Sequence, residues 1–196
     1  MRKELLDGEQ VFVVHDFLSP DECAEYVRVT EAVGYAAAPI TTAAGFVMAP
    51  EVRNNERVMI DNRDWAAKLW GRAGPFLPSP FKGREAIGLN ERFRFYRYDV
   101  GQTFRPHIDG HFARNDEHSL LTFMVYLNDG CRGGETVIYI QDDGLTLPDG
   151  AQIRVKPETG KALVFYHYLL HEGAPVAGGR KYVLRTDVMY RFPRRG

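Results

Sequence analysis

From Arg92 onward the chain alternates short runs of β-forming residues with turns rich in glycine, asparagine and aspartate. The runs are RFRFYRY (92–98), SLLTFMVYLN (119–128), ETVIYI (135–140), AQIRVKP (151–157), KALVFYH (161–167) and KYVLRTDVMYRF (181–192). Turn clusters such as NDGCRGG (128–134) and AGG (177–179) separate them. Because no helical segments alternate with these runs, the pattern predicts a sandwich or jelly roll rather than βαβ units.

The first third of the chain carries two helix signals. A strand-like run, QVFVVHDFL, is followed by a helix that we expect to continue to about Val33. Ser19 can cap this helix, Pro20 suits its first position, and Glu22 completes a capping box. A second helix is predicted over residues 63–72, RDWAAKLWGR. Both helices are expected to pack on one face of the β-rich half.

Size, charge and cysteine content exclude several classes of protein. We expect residues 1–196 to form one domain, with helical support over about 1–80 and a jelly-roll core over about 90–193. The formal net charge of −1 gives no reason to expect a nucleic-acid partner. Cys23 and Cys131 are too few for a disulfide framework. No apolar run is long enough for a membrane span, so a cytoplasmic protein without a membrane partner is expected.

Strand periodicity divides the last run into two faces. One face is mostly apolar and suits packing under the helices; it consists of Tyr182, Leu184, Thr186, Val188 and Tyr190. The other face mixes charged and apolar side chains; it consists of Lys181, Val183, Arg185, Asp187 and Met189. Two interpretations of this second face stay open, namely a solvated surface and the lining of a polar cavity inside the roll.

A candidate metal site begins with His107 and Asp109. Residues two apart on an extended strand point to the same side, so both side chains can reach one ion. A His-x-Asp pair also arises easily by chance, so the site requires a third ligand from a distant strand.

His171 is the favoured third ligand, because it ends one β run just before the turn into the last strand. His167 is a rival from the same region. His111 follows Asp109 too closely to approach from the opposite side, and His118 lies in a polar run and is expected to be exposed. Two imidazoles and a carboxylate suit the facial triad of non-haem Fe(II), although Zn²⁺ accepts the same donors.

Three motifs occur in a characteristic order: YDVGQTFRPHID (98–109), YLNDGCRGGET (126–136) and HEGAPVAGGRK (171–181). With these motifs the chain resembles the 2-oxoglutarate- and Fe(II)-dependent dioxygenases, and within them the prolyl 4-hydroxylase-like branch. The resemblance covers about Arg92 to Phe192. It implies an α+β, mainly β fold, a double-stranded β-helix (jelly roll) with N-terminal helices packed on one face.

The resemblance also implies a chemistry. His107, Asp109 and His171 match the ligands of Fe(II), with 2-oxoglutarate as cosubstrate, dioxygen as oxidant and ascorbate as an optional reductant. The expected reaction releases succinate and CO2 and hydroxylates an unactivated C–H of a peptidyl residue, most readily proline. Two alternatives stay open: the same chemistry on a small molecule, such as a free amino acid or a natural-product intermediate, and a jelly-roll module that binds metal without catalysis. The sequence does not indicate an oligomeric state.

Four further residues match the family's cosubstrate pocket. Lys181 matches the cation that pairs with the distal carboxylate of 2-oxoglutarate, and Tyr126 matches a tyrosine that donates to the same carboxylate in some relatives. Tyr98 matches a tyrosine near the cosubstrate, and Thr136 is a weaker match. A lysine supplies one compact charge rather than a bidentate fork, so a second donor from a tyrosine is reasonable.

The substrate contacts expected from the sequence are Arg53, Asn55, Arg57, Arg94 and Arg185. The first three lie in the polar segment 49–62, which is either a surface hairpin loop or a loop that covers the substrate. Arg94 shares a strand face with Tyr98 and can border the same cavity. Arg185 lies about 13 Å along the strand from Lys181, so it is expected to contact the substrate or the aspartate ligand.

Overall fold

The chain forms two helices and eighteen strands over the residues that the computed structural model describes, 1–42, 45–140 and 151–193. The helices are α1 (Pro20–Val33) and α2 (Arg63–Ala73), and one 3₁₀ turn (Gly74–Phe76) follows α2. The strands, in chain order, are β1 (Arg2–Asp7), β2 (Val11–His15), β3 (Ala36–Ala37), β4 (Ile40–Thr42), β5 (Gly45–Val47), β6 (Glu56–Asp61), β7 (Glu85–Leu89), β8 (Arg92–Tyr98), β9 (Phe104–His107), β10 (Ala113–Arg114), β11 (Glu117–Tyr126), β12 (Arg132–Gly133), β13 (Thr136–Tyr139), β14 (Gln152–Val155), β15 (Ala162–Tyr166), β16 (His171–Gly173), β17 (Val176–Gly178) and β18 (Lys181–Arg191).

Both helices begin at a side-chain cap, and the cap of α1 is the predicted residue. The Ser19 hydroxyl accepts the backbone N–H of Glu22 at 3.2 Å, and the Glu22 carboxylate accepts the backbone N–H of Ser19 at 3.1 Å. This reciprocal box satisfies two N–H groups that a helix start otherwise leaves unpaired. The side chain of Asn62 caps α2 by accepting the backbone N–H of Trp65 at 2.9 Å. Both helix predictions are confirmed.

Two antiparallel sheets build the β part. Ten strands form the larger sheet in the order β1-β2-β15-β11-β18-β8-β6-β3, with β10 beside β11 and β7 beside β18. Four strands form the smaller sheet in the order β14-β13-β16-β9, and the pairs β12-β17 and β4-β5 complete the described strands. The predicted α+β, mainly β jelly roll with helices on one face is confirmed.

The apolar core has two parts that lie on opposite faces of the larger sheet. Leu69 of α2 and Tyr26 of α1 pack with Phe95 and Leu184 on the helix-covered face. A second cluster joins the other face of the larger sheet to Ile138 of the smaller sheet, so it fills the interior of the roll. Over the described residues, no helix combines the length and the apolar character needed to cross a membrane.

The interpretation of residues 49–62 as a surface hairpin is wrong. Residues 56–61 form β6, which pairs with β8 inside the larger sheet. Val58 of this strand is buried against the helices, and Arg53 and Asn55 are buried just before it. The first 80 residues therefore supply strands to the larger sheet as well as helices to its face.

Candidate functional site

His107 and His171 face each other across two paired strands. His107 ends β9, His171 begins β16, and the two residues are register partners with ring centroids 4.3 Å apart. His107 Nδ1 lies 2.7 Å from the Arg105 carbonyl, and His171 Nδ1 lies 2.9 Å from the Leu169 carbonyl. A carbonyl only accepts, so each Nδ1 carries the proton and donates it. In the neutral rings this leaves each Nε2 with a lone pair for a metal.

Asp109 joins the two histidines from a loop. The strand ends at His107, so the prediction that Asp109 shares its strand face is wrong. A hydrogen bond from the Asp109 N–H to the His167 carbonyl, 3.0 Å, holds the loop instead. Asp109 Oδ1 lies 3.9 Å from His107 Nε2, and its Oδ2 lies 3.6 Å from His171 Nε2. One ligand atom from each residue falls within 4.8 Å of the others, which is a spacing suited to one metal ion.

The electrostatics of the cluster favour the protonation states that a divalent cation requires. Burial, followed by the nearby charge of His171, lowers the pKa of His107 to about 3. Burial also lowers the pKa of His171. Burial alone would raise the pKa of Asp109, but Arg185 and the two histidines together hold that pKa well below its usual range. Two neutral imidazoles and one carboxylate are therefore ready for a metal at neutral pH.

A hydrogen-bonded chain supports Asp109 from behind. Arg185 Nη2 lies 3.0 Å and Thr122 Oγ1 lies 2.5 Å from Asp109 Oδ2. Because this oxygen only accepts, the Thr122 hydroxyl donates to it, and His167 Nδ1 donates to Thr122 at 2.9 Å. His167 Nε2 in turn accepts from Ser119 Oγ at 2.8 Å. These contacts occupy Oδ2 and leave Oδ1 available to bind a metal ion.

The other histidines considered from the sequence lie outside the metal cluster. His167 is fully buried and hydrogen-bonded at both ring nitrogens. His111 is exposed, with its Nδ1 3.4 Å from the Tyr168 hydroxyl. His118 is partly buried rather than exposed, and its ring centroid lies 6.5 Å from that of His111.

Lys181 lies in the wall of the same cavity and has no carboxylate partner among the described residues. Its side chain is 2% exposed, and its Nζ donates to the Gly134 carbonyl at 2.6 Å. Gly134 adopts a φ of 72°, a conformation that favours glycine, and this directs the carbonyl at the ammonium group. Burial lowers the pKa of Lys181 to about 8. A buried cation without a counter-charge is suited to bind the carboxylate of a ligand.

The remaining predicted cosubstrate residues divide into two groups. Tyr98 and Thr136 line the cavity with Lys181, and the Tyr98 ring centroid lies 4.9 Å from the ammonium nitrogen. Tyr126 is fully buried and donates its hydroxyl to Thr136 Oγ1 at 2.7 Å. Thr136 uses a lone pair for this bond, so its own proton stays available to a group in the cavity. Tyr126 thus reaches the cavity through Thr136.

The cavity walls fit both Fe(II) and 2-oxoglutarate. The metal cluster offers nitrogen and oxygen donors without a thiolate, which is the donor set of non-haem Fe(II). The cavity between this cluster and Lys181 is lined mainly by apolar and aromatic side chains, including Phe104 and Phe165. Such walls exclude water from a bound dicarboxylate and leave its charges to the metal and the ammonium group.

A second, outer cavity of about 570 Å³ opens beside His107 and Asp109. Four of the five predicted substrate residues line it: Arg53, Arg57, Arg94 and Arg185. The fifth, Asn55, is fully buried and accepts a hydrogen bond from Arg53 Nε at 2.8 Å. Asn55 therefore positions Arg53.

The charged face of β18 is the lining of a cavity, so the interpretation as a solvated surface is wrong. Lys181, Val183 and Arg185 all line the inner cavity. Two residues that support the site were not predicted from the sequence. Thr122 showed only a single hydroxyl within the apolar run SLLTFMVYL. Asp187 is buried, and its Oδ1 lies 3.3 Å from Arg185 Nη2.

Comparison with known proteins is consistent with this geometry. Residues 93–186 match the model of the 2OG-Fe(II) oxygenase superfamily. The chain is 28% identical over 200 residues to probable prolyl 4-hydroxylase 7 of Arabidopsis thaliana, covering 88% of this chain and 60% of the relative. It is 25% identical over 194 residues to prolyl 4-hydroxylase 1 of the same plant, covering 88% of this chain and 66% of that relative. The chain thus spans less than two thirds of the length of either relative.

Solved structures share the fold. The viral collagen prolyl hydroxylase of Paramecium bursaria Chlorella virus-1, in its 2OG complex, superposes with a TM-score of 0.64 and 23% identity, covering 96% of this chain and 99% of that one. A prolyl 4-hydroxylase of Pseudomonas putida superposes with a TM-score of 0.63 and 23% identity, covering 96% and 95% of the two chains.

Proposed function

The chain belongs to the 2OG-Fe(II) oxygenase superfamily, in its prolyl 4-hydroxylase-like branch, and we propose that it is an Fe(II)- and 2-oxoglutarate-dependent dioxygenase. It hydroxylates an unactivated C–H of a peptidyl residue, with proline as the favoured residue, and releases succinate and CO2. The observation that carries the proposal is one cavity whose lining includes both the candidate metal cluster and the ammonium group of Lys181. The cluster consists of His107, Asp109 and His171.

The three residues of the cluster would hold Fe(II) through His107 Nε2, Asp109 Oδ1 and His171 Nε2. When bound, the iron would activate dioxygen, which is the oxidant for the decarboxylation of 2-oxoglutarate and for the hydroxylation. The chain keeps the ligands in place without rearrangement, because backbone carbonyls orient both imidazoles. Arg185 and Thr122 orient the carboxylate by binding its other oxygen.

Lys181 would bind the distal carboxylate of 2-oxoglutarate. Its ammonium group forms no ion pair with a carboxylate among the described residues, and the Thr136 proton and the Tyr98 hydroxyl offer two further donors on the same cavity wall. Three donors around one carboxylate orient the cosubstrate, so that its other end is directed at the metal cluster.

A peptidyl substrate is supported by the relatives, which are named prolyl 4-hydroxylases. One structural neighbour, a Trichoplax adhaerens prolyl hydroxylase, has a hypoxia inducible factor peptide bound; it superposes with a TM-score of 0.67 at 17% identity. The outer cavity beside His107 and Asp109 is where the substrate would lie. A single domain over residues 1–196 and a cytoplasmic location stay predictions from the sequence.

The test is succinate release on incubation with Fe(II), 2-oxoglutarate and dioxygen, followed by a mass-spectrometric search of peptide and metabolite pools for products with one added oxygen atom. His171→Ala and Asp109→Ala should abolish both signals. His15→Ala is the matched control, because His15 pairs with Glu4 on the far edge of the larger sheet. A protein that binds iron but never forms succinate from 2-oxoglutarate, with any pool, would instead be a metal-binding module.

A further inference from the structure

The outer cavity contains more guanidinium groups than the described carboxylates can pair. Arg185 binds Asp109 at 3.0 Å and Asp187 at 3.3 Å. Arg94 binds Asp187 at 3.2 Å. Both acidic residues are therefore engaged by arginines that hold the wall of the site together, and Arg53 is left without an acidic partner.

Arg53 is buried with one hydrogen-bonding group unused. Its guanidinium carbon lies 4.7 Å from the ring centroid of Tyr96 and 4.4 Å from that of Phe104. Its Nε donates to Asn55 Oδ1, whereas its Nη2 is buried and has no hydrogen-bond partner. The residue is only 5% exposed, so water cannot readily satisfy this group. An unsatisfied buried donor on a charged group is costly unless a ligand supplies the acceptor.

Arg57 is the second unpaired cation of this cavity. It is half-buried on β6, and over the described residues its side chain makes no hydrogen bond or ion pair. Burial, with the charges of Arg53, Arg94 and Arg185, lowers its pKa, against an opposing effect of Tyr96. The three arginines are among the largest contributions to this balance, so they make the local field positive.

Strand register brings these groups to one wall. Arg57 on β6 pairs with Tyr96 on β8, and Arg94 on β8 pairs with Arg185 on β18. Directly paired residues direct their side chains to the same face of a sheet. The two unpaired guanidinium groups line the same outer cavity as His107 and Asp109.

We propose that Arg53 and Arg57 bind a carboxylate of the substrate, so that the enzyme selects substrates with an acidic group close to the carbon that is hydroxylated. This inference rests on the proposed dioxygenase function. The planar guanidinium group matches a carboxylate with paired hydrogen bonds, and Arg53 Nη2 supplies the donor. The carboxylate comes either from a small amino-acid substrate or from an acidic side chain next to the target residue in a peptide. A cavity of about 570 Å³ has the size of a small-ligand site.

The test compares matched acid and amide probes by calorimetry on the anaerobic complex of the enzyme with Fe(II) and saturating 2-oxoglutarate. One arm pairs N-acetylproline with N-acetylprolinamide. The other pairs acetyl-Glu-Pro-Gly-amide with acetyl-Gln-Pro-Gly-amide. In at least one arm the acid should bind about tenfold to a hundredfold more tightly than the amide. The arm that shows the difference identifies the source of the carboxylate.

Substitutions then locate the effect. Arg57→Gln and Arg53→Gln should remove most of the preference for the acid. Arg57 is half-buried, so its variant keeps the test valid if Arg53→Gln fails to fold. Arg92→Gln is the matched control on β8, because Arg92 pairs with Asp61 at an exposed edge of the sheet. This variant should keep the full preference.

Equal binding of acid and amide in both arms would overturn the inference, and so would the absence of binding by every probe at millimolar concentration. A loss of the preference in Arg92→Gln that equals the loss in Arg57→Gln would overturn it as well, since the effect would then reflect net charge alone. These outcomes are distinct from a failure of the proposed function. If 2-oxoglutarate still binds and succinate still forms, the dioxygenase proposal stands while the carboxylate site falls.

Discussion

The two faces of β18 are both buried, but their side chains contribute to the protein in opposite ways. On the helix-covered face, Leu184, Val188 and Tyr190 are fully buried among apolar side chains. On the cavity face, Lys181 and Arg185 place charges in the interior of the roll. Apolar burial stabilises the fold by about 25 cal/mol per Å². Buried charges cost free energy unless partners compensate them.

The cavity face itself contains two kinds of charge. Arg185 is compensated by Asp109 and Asp187, so it stabilises the wall and orients a ligand residue. Lys181 forms no ion pair with a carboxylate among the described residues, and its ammonium group contacts the Gly134 carbonyl and two aromatic rings. Stability should therefore depend mainly on the helix-covered face of β18, and ligand binding on its cavity face. Substitutions on the two faces can test this separation.

Leu184→Ala tests the helix-covered face. Removing this fully buried side chain leaves a cavity among Phe95 and its neighbours, so the free energy of unfolding should fall by about 2–5 kcal/mol. Urea unfolding would measure this as a lower midpoint with an unchanged slope. Leu5→Ala is the matched control, because Leu5 is 54% exposed on β1 and should change stability by less than about 0.5 kcal/mol. The affinity for 2-oxoglutarate should stay unchanged in both variants.

Lys181→Met tests the cavity face. Methionine keeps the unbranched apolar stem of the side chain but removes the charged end, so a bound 2-oxoglutarate would lose its counter-ion at a cost of about 2–5 kcal/mol. Calorimetry should show a loss of affinity of about 30-fold to a few thousand-fold. Without ligand, the free energy of unfolding should stay the same or rise, because an uncompensated buried cation is removed.

Normal 2-oxoglutarate binding by Lys181→Met would contradict the role assigned to Lys181. A fall in the free energy of unfolding as large as that of Leu184→Ala would contradict the separation of the two faces, since it would show that Lys181 stabilises the fold.

The elements that sequence alone predicts are those with local signals. Ser19 and Glu22 form their capping box within one turn, and the alternation along β18 needs only a strand period. The proximity of His107, Asp109 and His171 could also be predicted, because the first two are two residues apart and the motif around His171 supplies the third member of the candidate metal site. The predicted strand position of Asp109 was wrong, because the strand ends at His107. A hydrogen bond from the Asp109 N–H to the distant His167 carbonyl holds the loop instead.

The parts that sequence did not predict depend on contacts between distant segments. Arg53 is an expected substrate contact, but its burial is not predicted by the polar stretch around it, because Tyr96 and Phe104 from other strands enclose its guanidinium group. Thr122 lies in an apolar run, and only the folded structure places its hydroxyl against Asp109. Such residues show no periodic pattern, because their burial comes from tertiary packing rather than from their own strand.

The pH dependence of Lys181 should produce a smaller change in 2-oxoglutarate affinity than the Lys181→Met substitution does. Burial lowers its pKa from 10.5 to about 8, so the free enzyme loses this charge as the pH rises through about 8. The affinity for 2-oxoglutarate should then fall by up to about tenfold per pH unit above that value, because only the ammonium form pairs with the carboxylate.

The stability of the unliganded protein should change in the opposite direction. Between pH 8 and 10.5 the unfolded chain binds the proton more than the folded one, so the contribution of Lys181 to the free energy of unfolding rises with pH. Calorimetry and urea unfolding across this range would measure both trends, and Lys181→Met is the control that should lack both. An affinity for 2-oxoglutarate that stays constant up to pH 10 in the wild-type protein would show that another group binds the carboxylate.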